Sequence, residues 1–424
     1  MEAGIAAAVA DNPLVSRTLS YSNGGQGGQQ TTFGTGAAAT ISSVTSCSIR
    51  IPFRLPASTT QWRIKLRNYN ASVNGTAAQT AATLDKIVVG QATAQTVGTP
   101  GATGNFLNGI GATVATSGTI PGDGTQYVSP WITASGDQVI EQADWLVAIA
   151  FHFSSAQTMQ TGIGRCWRWA DTTSAVNPAT ASSGAASTAS WIPIDFVIEY
   201  QTTNRKKAIL VIGDSIAEGT QGPAYALVSS GSASNYQDAA PTEVYNRFFD
   251  QWAKRRGDIM PQVNALYGGF ASTWASSSYS GWTRQDTSAG QYEMAVLALG
   301  PNDVAVGRSL AQIQSDWTAC LTNLRAIVGV SVPIYAMNIY PYRGIAAASE
   351  TVRKQFNSWL SQLPCGIQGV IDIDSEMRVL YSSTTLSNLS QVVSPIDQQL
   401  TCDGVHPSYQ GTSKLVDILM SSIP

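Results

Sequence analysis

The segment that decides the fold of the second half of the chain is Lys206–Gly219, which reads KKAILVIGDSIAEG. Its apolar run predicts a buried strand, and the glycine that follows predicts a turn leading to Ser215. Further apolar runs occur at Val263–Tyr267, Met294–Leu299, Pro333–Ile339 and Gly369–Ile373. Helix-period patterns alternate with them at Glu243–Arg256, Leu310–Val328, Ala346–Leu363 and Tyr409–Ser422. This alternation predicts a three-layer α/β fold with a parallel sheet.

The first half of the chain has a different pattern. Trp62, Ile64 and Leu66 alternate with basic residues, which is typical of a half-buried strand. Similar short runs recur between stretches rich in Gly, Ser, Thr and Ala, and they predict an antiparallel β-sandwich or jelly roll. We therefore expect an irregular N-terminal arm over residues 1–40, a β-sandwich accessory domain over 41–203 and the α/β domain over 204–424.

Composition excludes several classes of function. The formal net charge is −3 and only 12% of residues are charged, so neither nucleic acid nor an anionic membrane is an expected partner. There is no run of 18 apolar residues, and Glu2 stands where a signal peptide would carry basic residues. Two histidines make a His-based metal centre unexpected, and no cofactor-binding motif occurs, so we expect no metal and no cofactor.

Polar residues follow the predicted strands at the edge where α/β sheets form their sites. Ser215 follows the first strand, Gly269 the second and Asn302 the third, and His406 precedes the last helix with Asp403 three residues earlier. A serine hydroxyl needs a base, an imidazole can be that base, and a carboxylate can fix the imidazole tautomer. The backbone N–H groups of Ser215 and Gly269 and the amide of Asn302 can stabilise an oxyanion.

This set of residues resembles the SGNH (GDSL-type) hydrolase family. Gly213-Asp214-Ser215 is similar to its first block, Asn264 with Gly269 to the second, Gly300–Asp303 to the third, and Asp403 with His406 to the last. The resemblance covers about residues 206–424 and implies a serine esterase, with Ser215, Asp403 and His406 as the catalytic residues. No GxSxG motif occurs, which argues against a conventional α/β-hydrolase.

Each residue also has a structural interpretation. Ser215 and Asp403 could cap helices, and Asp214 is expected to shape its turn instead of reacting. Asp303 is expected to bond loop amides. His152 lies within a predicted strand of the first half and is expected to be a structural histidine.

The substrate is inferred from two long loops, Thr220–Ala240 and Ala271–Gln291, which leave the catalytic edge. Their aromatic residues could stack on sugar rings or could pack the loops down; they are Tyr225, Tyr236, Trp274, Tyr279 and Trp282. The layout resembles two-domain carbohydrate acetylesterases and deacetylating phage tail proteins. It implies removal of acetyl or other short acyl groups from a glycan, by an extracellular or virion-associated protein that could form a homo-oligomer or join a virion. The alternatives are a lipase, thioesterase or lysophospholipase, and a glycan-binding adhesin or virion protein with a vestigial site.

Overall fold

The computed structural model describes residues 17–21, 40–53, 59–72, 75–91, 106, 111–123, 125–133, 145–160, 162–171, 187–192, 194–202, 207–218, 248–265, 268–279, 281–282, 292–342, 345–378, 400, 405–407 and 409–424. Asp403, Tyr225 and Tyr236 of the predicted site lie outside these residues. So does the predicted domain boundary between residues 203 and 204.

The first half forms two antiparallel sheets. Its strands are β1 (Arg17–Tyr21), β2 (Thr40–Phe53), β3 (Thr59–Arg67), β4 (Tyr69–Ser72), β5 (Gly75–Ala78), β6 (Ala82–Gln91), β7 (Ala112–Ala115), β8 (Gly118–Ile120), β9 (Tyr127–Val128), β10 (Ile132–Thr133), β11 (Trp145–Gln160), β12 (Gly162–Asp171), β13 (Ser187–Ile192) and β14 (Asp195–Thr202). One sheet has the order β1-β14-β3-β10, with β9 also on β3. The other has the order β13-β12-β2-β11-β6-β7, with β8 also on β6, and β4 and β5 pair separately.

Alternation along the strands explains how these sheets pack. Trp62, Ile64 and Leu66 on β3 are completely buried. They share one apolar cluster with Val147 and Ile149 of β11, which belongs to the other sheet. The predicted β-rich domain is thus confirmed, whereas the jelly-roll topology stays a prediction.

One part of the predicted N-terminal arm is not irregular. Strand β1 pairs antiparallel with β14, with Arg17 opposite Thr202 and Tyr21 opposite Ile198. The prediction for residues 17–21 was therefore wrong. The reason is that an edge strand of five residues is too short to show a clear alternation.

The second half contains the predicted parallel sheet. Its strands are β15 (Lys207–Gly213), β16 (Ile259–Ala265), β17 (Met294–Ala298), β18 (Ile334–Met337) and β19 (Gly369–Ile371). Its helices are α1 (Ser215–Glu218), α2 (Phe248–Arg256), α3 (Ala271–Trp274), α4 (Pro301–Ala305), α5 (Leu310–Val328), α6 (Ala347–Leu360), α7 (Ile373–Arg378) and α8 (Tyr409–Ser422), with a 3₁₀ turn at Pro364–Gly366. The predicted α/β class and the bounds of α5 and α8 are confirmed.

Successive residues of the strands pack on opposite faces of this sheet. Leu210 and Leu297 lie in the cluster that includes residues of α5 and α6. Val211 and Val296 lie in the cluster that includes residues of α2 and α8. Both faces are therefore covered, which explains why β15 and β17 are apolar on both faces instead of alternating.

The strand order β16-β15-β17-β18-β19 determines where a site can form. The chain leaves β15 for one neighbour, β16, and then crosses to the other neighbour, β17. This reversal opens a crevice at the carboxyl ends of these strands, where ligands bind in open α/β sheets. Within the described residues, no helix is long and apolar enough to cross a membrane.

Candidate active site

Ser215 lies directly after β15, where α1 begins. The turn needs a glycine at position 213, because a Cβ there would lie 2.3 Å from the Cβ of Ala217. Ser215 is 6% exposed, so its hydroxyl reaches the crevice from a mostly buried position. The first strand of the sheet thereby places a hydroxyl at the reversal point of the strand order.

His406 comes from the far end of the domain, just before α8. Its Nε2 lies 2.9 Å from Ser215 Oγ, within hydrogen-bonding distance. The imidazole is 8% exposed, which shields this contact from bulk water. The structure therefore brings together the predicted nucleophile and the predicted base.

Asp214 bonds the backbone of the turn instead of the imidazole. Its Oδ1 accepts a hydrogen bond from the Ile216 N–H at 2.9 Å. Burial raises the pKa of this carboxyl to about 7, while backbone hydrogen bonds and the nearby His406 act in the opposite direction. Its contacts are those of a residue that shapes the turn.

Gly269 and Asn302 meet across the crevice. Asn302 Nδ2 donates a hydrogen bond to the Gly269 carbonyl oxygen at 2.9 Å. A carboxamide carries two N–H donors, so this bond leaves the second for a substrate oxygen. The preceding Gly268 has φ +68°, a left-handed conformation that favours glycine. The two glycines therefore differ: Gly268 makes the turn, and Gly269 contacts Asn302.

Gly300 sets the position of Asn302. It has φ +123°, and a Cβ there would lie 2.9 Å from Ile339 Cδ1. Pro301 then begins α4, which fits the preference for proline in the first turn of a helix. The Gly300–Pro301 pair thus turns the chain sharply at the end of β17 and directs Asn302 to the crevice.

Asp303 anchors the loop that carries Gly269. Its carboxylate accepts hydrogen bonds from the Ala271 N–H at 2.8 Å and the Ser272 N–H at 3.5 Å. Its side chain is completely buried, with Arg308 at 3.5 Å. Burial raises the pKa of Asp303 to about 6, although these hydrogen bonds act to lower it. These are the loop-amide contacts expected of a structural carboxylate.

Three of the five predicted sugar-stacking aromatics are buried. Trp274, Tyr279 and Trp282 are 1%, 4% and 6% exposed, and the Trp274 ring meets each of the other two edge-on at 4.9 Å. Trp282 Nε1 also donates to the Trp274 carbonyl at 3.1 Å. The prediction that these residues form a platform for sugars was therefore wrong. The Trp274 ring packs edge-on against the other two, because burying aromatic area against protein is more favourable than exposing it on a loop.

We expect Trp274→Ala to destabilise the domain instead of changing its specificity. Removing a buried tryptophan costs roughly 3–5 kcal/mol of unfolding free energy. Urea unfolding should show this loss, and turnover of small and polymeric esters should fall together. The half-buried Trp359 of α6 provides a control, because its removal should cost less. A stable Trp274→Ala variant that lost only polymer turnover would restore the stacking interpretation.

The loop after β18 also contacts the site, and it was not among the predicted site residues. Tyr340 Oη donates a hydrogen bond to the Val405 carbonyl, and Tyr342 Oη donates one to the Pro301 carbonyl at 3.2 Å. The signal was available, because the loop follows a predicted strand and therefore lies at the same edge as the other site residues. In the part of the chain that the structure describes, no group of three or more His, Cys, Asp or Glu side chains is placed to hold a metal ion.

The strand order and the Ser215–His406 contact place a hydroxyl and an imidazole together at the edge of an open α/β sheet. Residues 211–413 match the GDSL-like Lipase/Acylhydrolase family. The predicted SGNH (GDSL-type) resemblance is thereby confirmed. The match includes Ser215, Gly269, Asn302 and His406 and leaves out the β-rich half.

Solved structures with a similar fold include lipases and carbohydrate esterases. A lipase from a goat rumen metagenome has 16% identity and a TM-score of 0.35, covering 51% of this chain and 97% of its own. A family two carbohydrate esterase from Clostridium thermocellum has 8% identity and a TM-score of 0.37, covering 95% and 97%. A family three carbohydrate esterase from Talaromyces cellulolyticus has 16% identity and a TM-score of 0.33, covering 50% and 94%. No curated protein sequence matches the chain.

Proposed function

We propose that this protein hydrolyses acetyl or other short acyl esters of a carbohydrate, with Ser215 as nucleophile and His406 as general base. The observation that carries the proposal is the 2.9 Å contact between Ser215 Oγ and His406 Nε2. This contact lies within the segment that matches the GDSL-like Lipase/Acylhydrolase family. Asp403 completes the proposed triad as the carboxylate that fixes the imidazole tautomer.

Each half of the reaction uses the same two groups. Ser215 Oγ attacks the ester carbonyl carbon while His406 Nε2 takes the hydroxyl proton. The tetrahedral intermediate collapses, the C–O bond to the sugar breaks, and the leaving sugar oxygen receives that proton. Water then attacks the acyl-enzyme with His406 again as base, which releases the carboxylic acid and restores Ser215.

Fixed hydrogen-bond donors stabilise the negative charge of the tetrahedral intermediate. We assign these to the backbone N–H groups of Ser215 and Gly269 and to the side-chain amide of Asn302. The hydrogen bond from Asn302 Nδ2 to the Gly269 carbonyl, 2.9 Å long, supports this assignment because it ties two of the donors together. Asp303 fixes the loop after Gly269 by accepting a hydrogen bond from the Ala271 N–H. Donors held before the reaction begins cost no reorganisation when the charge develops.

The choice of a carbohydrate rests on the chain's composition and layout. Only 12% of residues are charged, so much of the polar surface is uncharged, which suits contact with glycan hydroxyls. The β-rich half would bind glycan or attach the enzyme to a larger assembly. Tyr225 and Tyr236 remain predicted sugar contacts, whereas Trp274, Tyr279 and Trp282 no longer support the proposal.

The main competing function is that of a lipase, thioesterase or lysophospholipase, which the family description itself favours. A long acyl chain needs an extended apolar wall beside the nucleophile, and an acetyl group does not. A vestigial site on a glycan-binding protein is opposed by the intact contact between Ser215 and His406.

The acyl-chain preference tests the proposal. We expect p-nitrophenyl acetate to be the best substrate in a series of acetyl, butyryl, octanoyl and palmitoyl esters, because the proposed substrate carries a short acyl group. Acetate release should also be detected from at least one of a panel of acetylated polysaccharides. A preference for octanoyl or palmitoyl esters would favour the lipase alternative, and absence of turnover on every ester would favour the vestigial site.

A further inference from the structure

The loop that follows β18 contacts both sides of the candidate active site. Tyr340 donates its hydroxyl hydrogen to the carbonyl of Val405, the residue before His406. The Tyr342 hydroxyl donates a hydrogen bond, 3.2 Å long, to the carbonyl of Pro301, the residue before Asn302. The two tyrosines are 2% and 8% exposed, so both contacts are shielded from water.

This loop is itself held firmly. Asn357 of α6 binds both backbone groups of Ile339: its Oδ1 accepts from the N–H at 3.0 Å, and its Nδ2 donates to the carbonyl at 2.8 Å. The buried guanidinium of Arg353 donates to the same carbonyl and pairs with Glu350 at 2.6 Å and Asp374 at 2.9 Å. The residue next to Tyr340 is therefore fixed to α6 by three hydrogen bonds.

A small cavity lies where these elements meet. Its lining includes Asp214, Pro301 and Val405, which directly precede Ser215, Asn302 and His406 in the chain. Tyr340 and Tyr342 also line it. The tyrosines therefore share a cavity with the residues that precede the three side chains of the proposed reaction, and α6 anchors the loop that carries them.

We infer that Tyr340 and Tyr342 are positioning residues, with Tyr340 fixing His406 against Ser215 and Tyr342 fixing Asn302 at the oxyanion. This inference rests on the proposed function. Neither tyrosine touches the reacting atoms; each acts through the carbonyl of a neighbouring residue. Burial raises the pKa of the Tyr342 phenol above its ordinary value, which keeps the hydroxyl protonated and able to donate.

The two tyrosines should have different effects on catalysis. His406 must return a proton to the leaving alcohol, and an alkoxide needs that proton far more than p-nitrophenolate does. Tyr340→Phe should therefore lower kcat/KM for an alkyl acetate by roughly 10-fold or more, since small misplacements of a catalytic group are costly, and should lower it less for p-nitrophenyl acetate. Tyr342→Phe should lower kcat for both esters by the same factor, because both form the same oxyanion.

A double-mutant cycle tests the role of Tyr342. In an Asn302→Ala background the side chain that Tyr342 positions is gone, so Tyr342→Phe should have no further effect on kcat. If the fold-losses in kcat of the two single variants multiplied in the double variant, the proposed role of Tyr342 would be wrong. Tyr292→Phe is the matched control, because it also removes one buried tyrosine hydroxyl bond, 2.6 Å to Gln262, before the start of β17.

The role of Tyr340 has a readout that does not depend on activity. The chain has only two histidines, so the imidazole NMR signals of the full-length protein can be assigned with a His152→Gln variant. Tyr340→Phe should shift and broaden the His406 signals and leave His152 unchanged, whereas Tyr292→Phe should alter neither. Unchanged His406 signals would overturn the inference. If wild-type protein hydrolysed no ester and these shifts were still seen, the proposed function would fail and the positioning contact would stand.

Discussion

Replacing Ser215 by alanine is expected to lower kcat for ester hydrolysis by at least about a thousandfold, because nucleophile and base act as a unit. The hydroxyl lies 2.9 Å from His406 Nε2, and the variant has no other oxygen at that position. The fold should survive, because alanine is smaller than serine and the substitution adds no atom to this mostly buried position. Initial rates on p-nitrophenyl acetate and thermal melting of the same samples measure both expectations.

The matched control for this variant is Ser276→Ala, which removes an exposed serine hydroxyl from the segment after α3. It should retain wild-type rates. A phosphonate that reacts with activated serines should label Ser215 in the wild type and nothing in the Ser215→Ala variant. Labelling at another serine, or an active Ser215→Ala variant, would show that the nucleophile lies elsewhere.

Asn302→Ala is expected to lower kcat by roughly 10²–10³, the usual cost of losing one oxyanion donor. KM should change little, because the proposed charge on the substrate oxygen exists only in the transition state. The substitution also removes the 2.9 Å bond from Nδ2 to the Gly269 carbonyl, so the measured loss includes some loosening of that loop.

Asn323→Ala separates these two contributions. Asn323 of α5 donates to the carbonyls of Trp274 and Ala275 at 3.1 and 3.0 Å, so it supports the same segment of chain without reaching the crevice. It should lower stability and leave kcat nearly unchanged. If Asn302→Ala raised KM and spared kcat, its amide would bind the ground-state substrate and the oxyanion assignment would be wrong.

The fold of the second half could be predicted because most strand residues are apolar and each long helix has one apolar face. The rule that sites form at the carboxyl ends of parallel strands then selected Ser215 and Asn302 from a chain that is rich in serine and contains 17 asparagines. His406 could be selected because histidine is rare in this sequence and this one precedes the final helix. The local sequence pattern was sufficient to predict a site residue wherever a single strand or helix determined the position of that residue.

Apart from the pair Ser215–His406, the partners in contacts between distant segments could not be predicted. The segment after Gly269 looked like a polar loop because its composition is Ser-rich, yet Asp303 binds the Ala271 N–H from 32 positions away and α3 forms there. Composition also gave no indication that Trp274 and Trp282 turn toward each other. The bond from Tyr340 to the Val405 carbonyl spans 65 positions, and no periodicity marks such a pairing.

The reacting pair is divided between the two ends of the hydrolase domain. Ser215 follows the first strand of the parallel sheet, and His406 directly precedes α8, 191 positions later. A ribosome therefore makes the five strands and helices α1–α7 before it makes the proposed base, so we expect a growing chain to lack esterase activity until position 406 has been added. Leu415 and Leu419 of α8 pack in the same cluster as Phe249 and Trp252 of α2. In the proposed reaction, ester hydrolysis therefore requires the segment that carries His406 to have reached Ser215, on the side of the sheet where α8 packs against α2.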